Sequence, residues 1–505
     1  MARRSPLRLL AGAGALVVLA ALAGTAAAGP APISAPKYRN YEAPAGIANS
    51  AGEPSVGVNW KTGAVFFQAG LQTDRVVFDK ANNAIWTNVS PVQTRLRTLD
   101  PFLHTDNVNG RVFVSQLTGL NSLTAFTDDD GKTYAPSQGG GIPSGVDHQS
   151  LGSGPYPKGG VARPLTGFPN AVYYCSQSLL TAFCARSDTG GATFGPGSPL
   201  FTLDECGALH GHVRVSPDGT VYVPNSDCGG KQGFAVSTDA GLTFTNRTVP
   251  ESSAGISDPS VAAGKDNTTY FGYVDGDGRT KVAVTRDRGR TFSEPFDVGA
   301  SLGVRNAAFP AVIAGDGTRA AIAFLGTTTA GDAQADDFGK DGDVYTGGTY
   351  HLYIATTYDR GRHWTTVKAT GSDPVQRGKI CQGGTFGCGE FDRNLLDFMD
   401  IDLDQQGRVL VGWADGCTND CVTSNALSDN RFTEKGVITR QSGGTSLIAR
   451  SVAAPVVARP AAPRARPAPA GPGRELAATG LTAGLPLAAL ALIAVAFVVR
   501  RRRTA

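Results

Sequence analysis

Apolar residues along the middle of this chain come in short runs, such as Val65-Phe66-Phe67 and Val221-Tyr222-Val223. Turn-forming stretches precede them, Asn59-Trp60-Lys61-Thr62-Gly63 before the first and Ser216-Pro217-Asp218-Gly219 before the second. Runs this short, bounded by glycine, proline, asparagine and aspartate, predict β-strands joined by tight turns. Helical periodicity is hard to find between the two ends, and the 65 glycines fit a turn-rich chain. The expectation is therefore an all-β domain.

Two repeats, out of phase with each other, organise those strands. The first is Ser/Thr-x-Asp-x-Gly-x-Thr-aromatic, present as Thr127-x-Asp129-x-Gly131-x-Thr133-Tyr134, Ser237-x-Asp239-x-Gly241-x-Thr243-Phe244 and Thr285-x-Asp287-x-Gly289-x-Thr291-Phe292. Two copies are worn: Ser187-x-Thr189-x-Gly191-x-Thr193-Phe194 lacks the acid, and Thr357-x-Asp359-x-Gly361-x-His363-Trp364 has histidine for threonine. Such a segment reads as a hairpin tip, in which aspartate accepts hydrogen bonds from its own turn, glycine supplies φ > 0 and the aromatic anchors the end. The second repeat marks strand starts at Glu53-Pro54-Ser55-Val56, Asp100-Pro101-Phe102-Leu103, Asp147-His148-Gln149-Ser150, His210-Gly211-His212-Val213, Asp258-Pro259-Ser260-Val261, Phe309-Pro310-Ala311-Val312 and Asp397-Phe398-Met399-Asp400. Repetition at this spacing implies a sheet-by-sheet array.

The hairpin motif resembles the Asp boxes, or BNR repeats, of the sialidase superfamily of β-propellers, over residues from about 50 to 435. The resemblance implies four-stranded antiparallel blades, with each box joining the third strand to the fourth on the side away from the substrate. Seven strand starts predict seven blades, matched by seven hairpin-terminal aromatics if decayed copies ending at Trp86 and Phe432 are counted. Sialidases have six blades, which stands as the alternative.

The two ends predict an address. Residues 1–28 carry Arg3, Arg4 and Arg8, an apolar run and Ala26-Ala27-Ala28, the pattern of a secretory signal peptide. Residues 451–475 are a proline- and alanine-rich spacer, and residues 476–505 hold Leu476-Ala477-Ala478-Thr479-Gly480, an apolar segment and a tail of arginines. That order resembles an actinobacterial cell-wall sorting signal, which implies sortase and the cell wall as partners. The alternative is a C-terminal membrane anchor, because residues 481–499 are long and apolar enough to span a bilayer.

With the ends set aside, residues 29–450 carry 35 basic against 42 acidic side chains, so the overall +3 charge belongs to the tails. A mildly acidic domain with no basic stripe argues against nucleic acid. Eight cysteines fall into close pairs, Cys175 with Cys184, Cys206 with Cys228, Cys381 with Cys388 and Cys417 with Cys421, as expected of disulfides in an exported, monomeric domain.

Chemistry is expected where the strand starts converge on a central channel. Glu53, Asp100, Asp147, His148, His210, His212, Asp258, Arg305, Asn306, Arg393, Asn394 and Asp397 are predicted there. Singly, Glu53, Asp100 and Asp258 read as turn formers, with the carboxylate capping backbone N–H groups. Strand alternation would put His210, His212 and Arg214 on one face, to bind substrate together with His148 or, with His148 or Asp147 as a third ligand, to hold a metal.

The sialidase resemblance implies three arginines on a sugar carboxylate, for which Arg97, Arg305 and Arg393 are the candidates, and acids from Asp100, Asp258 and Glu390. The family's Phe-Arg-Ile-Pro motif has no match beyond Arg39, and the last tyrosine, Tyr358, precedes Arg393, which leaves Tyr345 or Tyr350 as the nucleophile. An insertion at 331–348 holds Asp332, Asp336, Asp337, Asp341 and Asp343; Asp336, Asp341 and Asp343 are candidate Ca²⁺ ligands, although no cofactor is required, and a solvated loop is the alternative. Two functions follow as expectations. One is a sialidase-like exo-glycosidase acting on glycans or glycoconjugates; the other is a non-catalytic propeller that binds glycan or protein.

Overall fold

A computed structural model of the chain describes residues 33–449 apart from 97, 99, 119, 120, 140–144, 146, 179, 180, 203, 208, 209, 390 and 391. The signal, spacer and sorting segments, and the candidates Arg97 and Glu390, lie outside the described residues. No helix among the described residues is long and apolar enough to cross a membrane.

Seven four-stranded antiparallel sheets follow one another along the chain as the blades of a β-propeller, the sixth with a short extra strand, Gln376–Arg377. The inner strands are Ser55–Val58, Pro101–Asp106, Asp147–Gly154, Arg214–Val215, Ser260–Ala263, Asn306–Ala314 and Asp400–Leu403. Each begins within four residues of a predicted start, so the count of seven holds and the six-bladed alternative is excluded. The seventh blade takes its outermost strand, Lys37–Glu42, from the beginning of the described chain, paired with Lys435–Gly443 near its end. That pairing closes the ring through its own ends and leaves only short, protected edges.

This closure corrects one reading. The last blade has no hairpin between its third and fourth strands, so Phe432 is not a hairpin-terminal aromatic; it stands at φ 47° ahead of the third strand. Trp86 does fit, lying on the outer strand Ala84–Asn88 edge-on to Phe67 at 5.5 Å.

Apolar clusters join neighbouring blades. Phe102 and Phe113 of the second blade cluster with Leu151, Val172 and Tyr174 of the third, and Tyr222 and Phe234 of the fourth with Phe271 and Tyr273 of the fifth. The hairpin tips belong to the same seams. In the third box, Thr285 Oγ1 donates to Asp287 Oδ1 at 2.9 Å, while Asp287 accepts from Thr291 N at 2.9 Å and Thr291 Oγ1 at 2.7 Å. Those bonds, led by the one from Thr291 N, hold the Asp287 carboxyl down at about 2. The worn copies keep the geometry with other atoms. Thr189 Oγ1 accepts from Thr193 N at 2.9 Å, and His363 Nδ1 meets Asp359 Oδ2 at 2.6 Å.

Glycine is needed in the box for two reasons. Gly191 has φ 91°, and a Cβ there would fall 2.4 Å from Phe113 Cε1 of the preceding blade.

All four expected disulfides form: Cys175–Cys184 across adjacent strands, Cys206–Cys228, Cys381–Cys388 and Cys417–Cys421. Four disulfides and no free cysteine among the described residues are the usage of an oxidising, extracellular environment.

Candidate functional site at the channel mouth

Inner strands of neighbouring blades do not pair with one another, so their edge N–H groups need other acceptors. Side chains of the adjacent blade supply them. Val56 N donates to Asp400 Oδ2 at 3.3 Å, Gln149 N to Asp100 Oδ2 at 3.1 Å, Val213 N to Ser150 Oγ at 3.1 Å and Val312 N to Ser260 Oγ at 3.0 Å. Aspartate and serine near strand starts thus cap the next blade. This bears out the capping role expected of Asp100, and extends it to Asp400 and Asp402, which sequence reasoning passed over.

Several strand starts also adopt strained backbone. Glu53, His148 and Leu396 have φ of 54°, 48° and 57° at or just before the entrance to an inner strand, and Phe309 has φ 58° at a bulge within one. Non-glycine residues hold such values only where surrounding structure imposes them. The twist turns the side chains of Glu53 and His148 toward the axis. There they line one small cavity with Asp100, Asp147, Gln149, His210, His212, Asp258, Asp397 and Phe398. Its volume, about 10 Å³, is the space of one water molecule or one small polar group.

Burial and charge divide the acids into two sets. Asp397 receives both Nη atoms of Arg393, at 2.6 and 2.5 Å, and these bonds outweigh burial to hold its carboxyl below the usual aspartate range. Asp100 is raised to about 8, first by burial and then by the charge of Asp147. Burial raises Glu53 well above its usual range, with the charges of Asp100 and Asp397 adding to it. Glu53 Oε2 has no hydrogen-bond partner.

The histidines divide likewise. His148 Nδ1 lies 3.0 Å from Asp258 Oδ2 and 3.1 Å from His210 O. Burial opposes its charge, but Asp258 and Asp147 outweigh it and lift His148 well above the usual imidazole range. Burial lowers His210 to about 4; its Nδ1 meets Gly211 O at 2.8 Å, which leaves a bare, unpartnered Nε2. His212 is wedged edge-on between Phe102 and Phe398, at 4.5 and 4.3 Å, and burial pushes it far below the ordinary range.

The remaining candidates stand elsewhere. Arg214 does not line the cavity; it donates to Asp400 Oδ1 at 3.0 Å. Gly211 makes room for the next blade rather than for the imidazoles, since a Cβ there would meet Pro259 O at 2.1 Å. Arg305 is exposed and outside the cavity. Its neighbour Asn306 bonds the carbonyls of Thr329 and Gly331, while Asn394 bonds Gln376 and Thr433 O. The repeated Arg-Asn pair is therefore loop scaffolding at its asparagines, and the cavity takes neither Arg305 nor a free Arg393.

The expected loop calcium site is not assembled. Asp336 pairs with Lys379 at 2.6 Å, Asp341 and Asp343 are exposed on a small hairpin, and the three do not bring ligand atoms within reach of one ion. Nor is 331–348 merely solvated. It docks on the loop before the last strand, with Tyr345 N donating to Asn425 O at 2.7 Å and Asn430 Nδ2 to Tyr345 Oη at 3.2 Å. Tyr350 is buried, and neither tyrosine lines the cavity. Among the described residues, the only group of histidine, cysteine and acidic atoms close enough for a metal is Cys381, Cys388 and Asp392, where the two sulfurs already form a disulfide.

No protein-family model and no curated protein sequence matches the chain. Solved structures similar to it include the protein YCF48 bound to a D1 peptide, 10% identical with a TM-score of 0.41, covering 82% of this chain and 98% of that one. A Hadza microbial sialidase, Hz136, is 14% identical with a TM-score of 0.38 over 76% of this chain and 73% of that one. The lectin SapL1, in complex with α-methyl fucoside, is 11% identical with a TM-score of 0.38 over 64% of this chain and 98% of that one.

Proposed function

We propose that this is an exported propeller, held at the cell surface by its C-terminal sorting signal, that hydrolyses a glycosidic bond at the channel mouth. The observation that supports it is a set of carboxyl groups with opposite protonation in one cavity. Asp100, at about 8, keeps its proton at neutral pH, while Arg393 keeps Asp397 ionised. Groups pushed apart in this way divide naturally into general acid and base. The cavity admits one substrate hydroxyl or amine, so the sugar ring would rest above it, across the rim.

Charge selects the sugar. Five carboxyl groups, Glu53, Asp100, Asp147, Asp258 and Asp397, face two cationic groups, His148 and Arg393, and both cations are already paired with acids. A sugar carboxylate meets no open guanidinium there. The reading is thus a glycosidase of the sialidase type in architecture, acting on a non-anionic sugar.

A panel of fluorogenic neutral, amino and sialic glycosides tests it, with residues 29–450 compared against Asp100→Asn. Turnover of a non-anionic glycoside, reduced at least about 100-fold in the variant, is expected. Turnover of the sialoside alone would overturn the charge argument. Loss of activity above pH 8 should accompany the reaction, as Asp100 gives up its proton. If no glycoside is cleaved, the binding reading takes over, which the one-group size of the cavity favours.

A further inference from the structure

The Asp box uses its hydroxyl residues, aspartate, glycine and aromatic to build the hairpin tip, and the positions between them are free. In the boxes of the second, third and fourth blades those positions hold Asp128, Asp130 and Lys132, then Asp188, Gly190 and Ala192, then Thr238, Ala240 and Leu242. In the fifth blade they hold Arg286, Arg288 and Arg290, and in the sixth Tyr358, Arg360 and Arg362. Arginine thus takes five of six free positions on two neighbouring tips and none of the nine before them.

Two of the five serve the fold. Arg288 pairs with Asp218 at 2.8 Å and Arg360 with Asp266 at 3.0 Å, each reaching the preceding blade. Arg286, Arg290 and Arg362 are exposed and make no ion pair among the described residues; Arg362 Nε donates only to Asp359 O of its own turn, at 3.1 Å. The carboxylates of Asp287 and Asp359 are likewise taken up by their own turns. The two tips touch, since a Cβ on Gly361 would lie 2.8 Å from a methyl of Val284, two residues before Arg286.

The chain leaves the ring beside these tips. Tyr358 Oη of the sixth box donates to Thr445 O at 2.6 Å, Arg319 Nη1 donates to Ser446 O at 2.8 Å, and Ala449 N donates to the Asp316 carboxylate. Residues 450–475 follow in the sequence with five arginines against one acid, Glu475. Unpaired guanidinium groups therefore surround the root of a basic tether.

Building on the surface-anchored reading above, we infer that the hairpin face of the fifth and sixth blades docks on a phosphodiester polymer of the wall into which the tether leads, through Arg286, Arg290 and Arg362. A guanidinium fork matches a phosphate with two parallel N–H donors. Three forks on two rigid tips suit anions repeated along a chain, whereas a single small anion engages one at a time. Attachment through the tether holds the face at high effective concentration near the same polymer. The mouth, at the other end of the blades, then points away from the wall.

The test is binding of residues 29–450, whose ring is closed by its own terminal strands, to poly(glycerol phosphate), to polygalacturonate and to phosphatidylglycerol vesicles at low and high salt. Binding to poly(glycerol phosphate) at least about tenfold tighter than to the other two is expected, weakened about tenfold, with a shallower salt dependence, when Arg286→Gln, Arg290→Gln and Arg362→Gln are combined. The melting temperature of that variant should match the parent, because the three side chains hold no acid. An equal loss in Lys158→Gln with Arg163→Gln, exposed bases on the same face at the third blade, would overturn the assignment to these tips. Preference for the vesicles or for polygalacturonate overturns the phosphodiester polymer as partner. Binding to none of the three overturns the docking and leaves the anchor reading standing. That reading is judged separately on cells carrying the full chain: release by a muramidase supports it, and release by detergent alone overturns it.

Discussion

The two faces of the ring handle polar side chains in opposite ways. In an antiparallel blade the start of the innermost strand and the hairpin between the third and fourth strands lie at opposite ends, so the boxes face away from the mouth. At the hairpin face, polar atoms satisfy one another locally: Asp129 takes Thr127 Oγ1, Thr133 N and Thr133 Oγ1 within a single turn. At the mouth, acids from five blades meet in one cavity and leave Glu53 Oε2 and His210 Nε2 without partners. Local satisfaction builds a staple, and convergence without satisfaction builds a site. The same residue type, aspartate, serves both ends, at about 2 in the box of Asp129 and at about 8 for Asp100.

The hairpin face should break hardest. Gly191→Ala places a methyl group against Phe113 and forces a left-handed backbone on alanine, at a cost of about 3 kcal/mol read as a lower thermal midpoint. A midpoint within a degree of the parent would mean that the seam has slack there and that the box glycine serves the turn alone.

Acid and alkali should separate the two faces next. Burial raises Asp100 and Asp415 to about 8 and Asp402 to about 7, so their contribution to stability is complete below the unfolded value near 4 and is lost as pH rises through 7 to 8. Asp129 and Asp287, held at about 2, contribute above the unfolded value and lose their contribution as pH falls toward 2. The melting temperature should therefore peak near about pH 4 and decline from there to about pH 8. Asp402→Asn should flatten the alkaline fall and leave the acid limb alone; an unchanged alkaline limb would show that Asp402 does not hold its proton.

The smallest expected effect repairs a worn staple. Thr189→Asp restores the missing acid opposite Thr193 N and Oγ1, with the neighbouring Asp188 already paired to Arg186, and should add about 0.5–1 kcal/mol. Destabilisation instead would mean that the threonine version is the better fit to its seam.

Much of this molecule was legible in the sequence because its signals are local. A hairpin tip is specified by residues within eight positions, and a strand start by a turn and the apolar run after it, so seven blades and four close-spaced disulfides were readable directly. Phe432 was misread because the closure of the ring joins residues about four hundred positions apart, which no local pattern announces. Arg305 and Arg393 looked alike for a related reason: both precede an inner strand, but the partner that occupies Arg393 sits one turn away at Asp397, while Arg305 projects to solvent. The acids of 331–348 suggested a cation because composition gathers charges that the folded loop then disperses.

The sequence by itself determined the strands, the turns and the number of blades, since backbone conformation and short disulfides depend on near neighbours. Only the tertiary structure decided which polar side chains share a cavity, which arginine is already held, and which acid keeps its proton. Those properties depend on burial and on charges brought together from blades far apart in the chain, and distance in space is what the ring supplies.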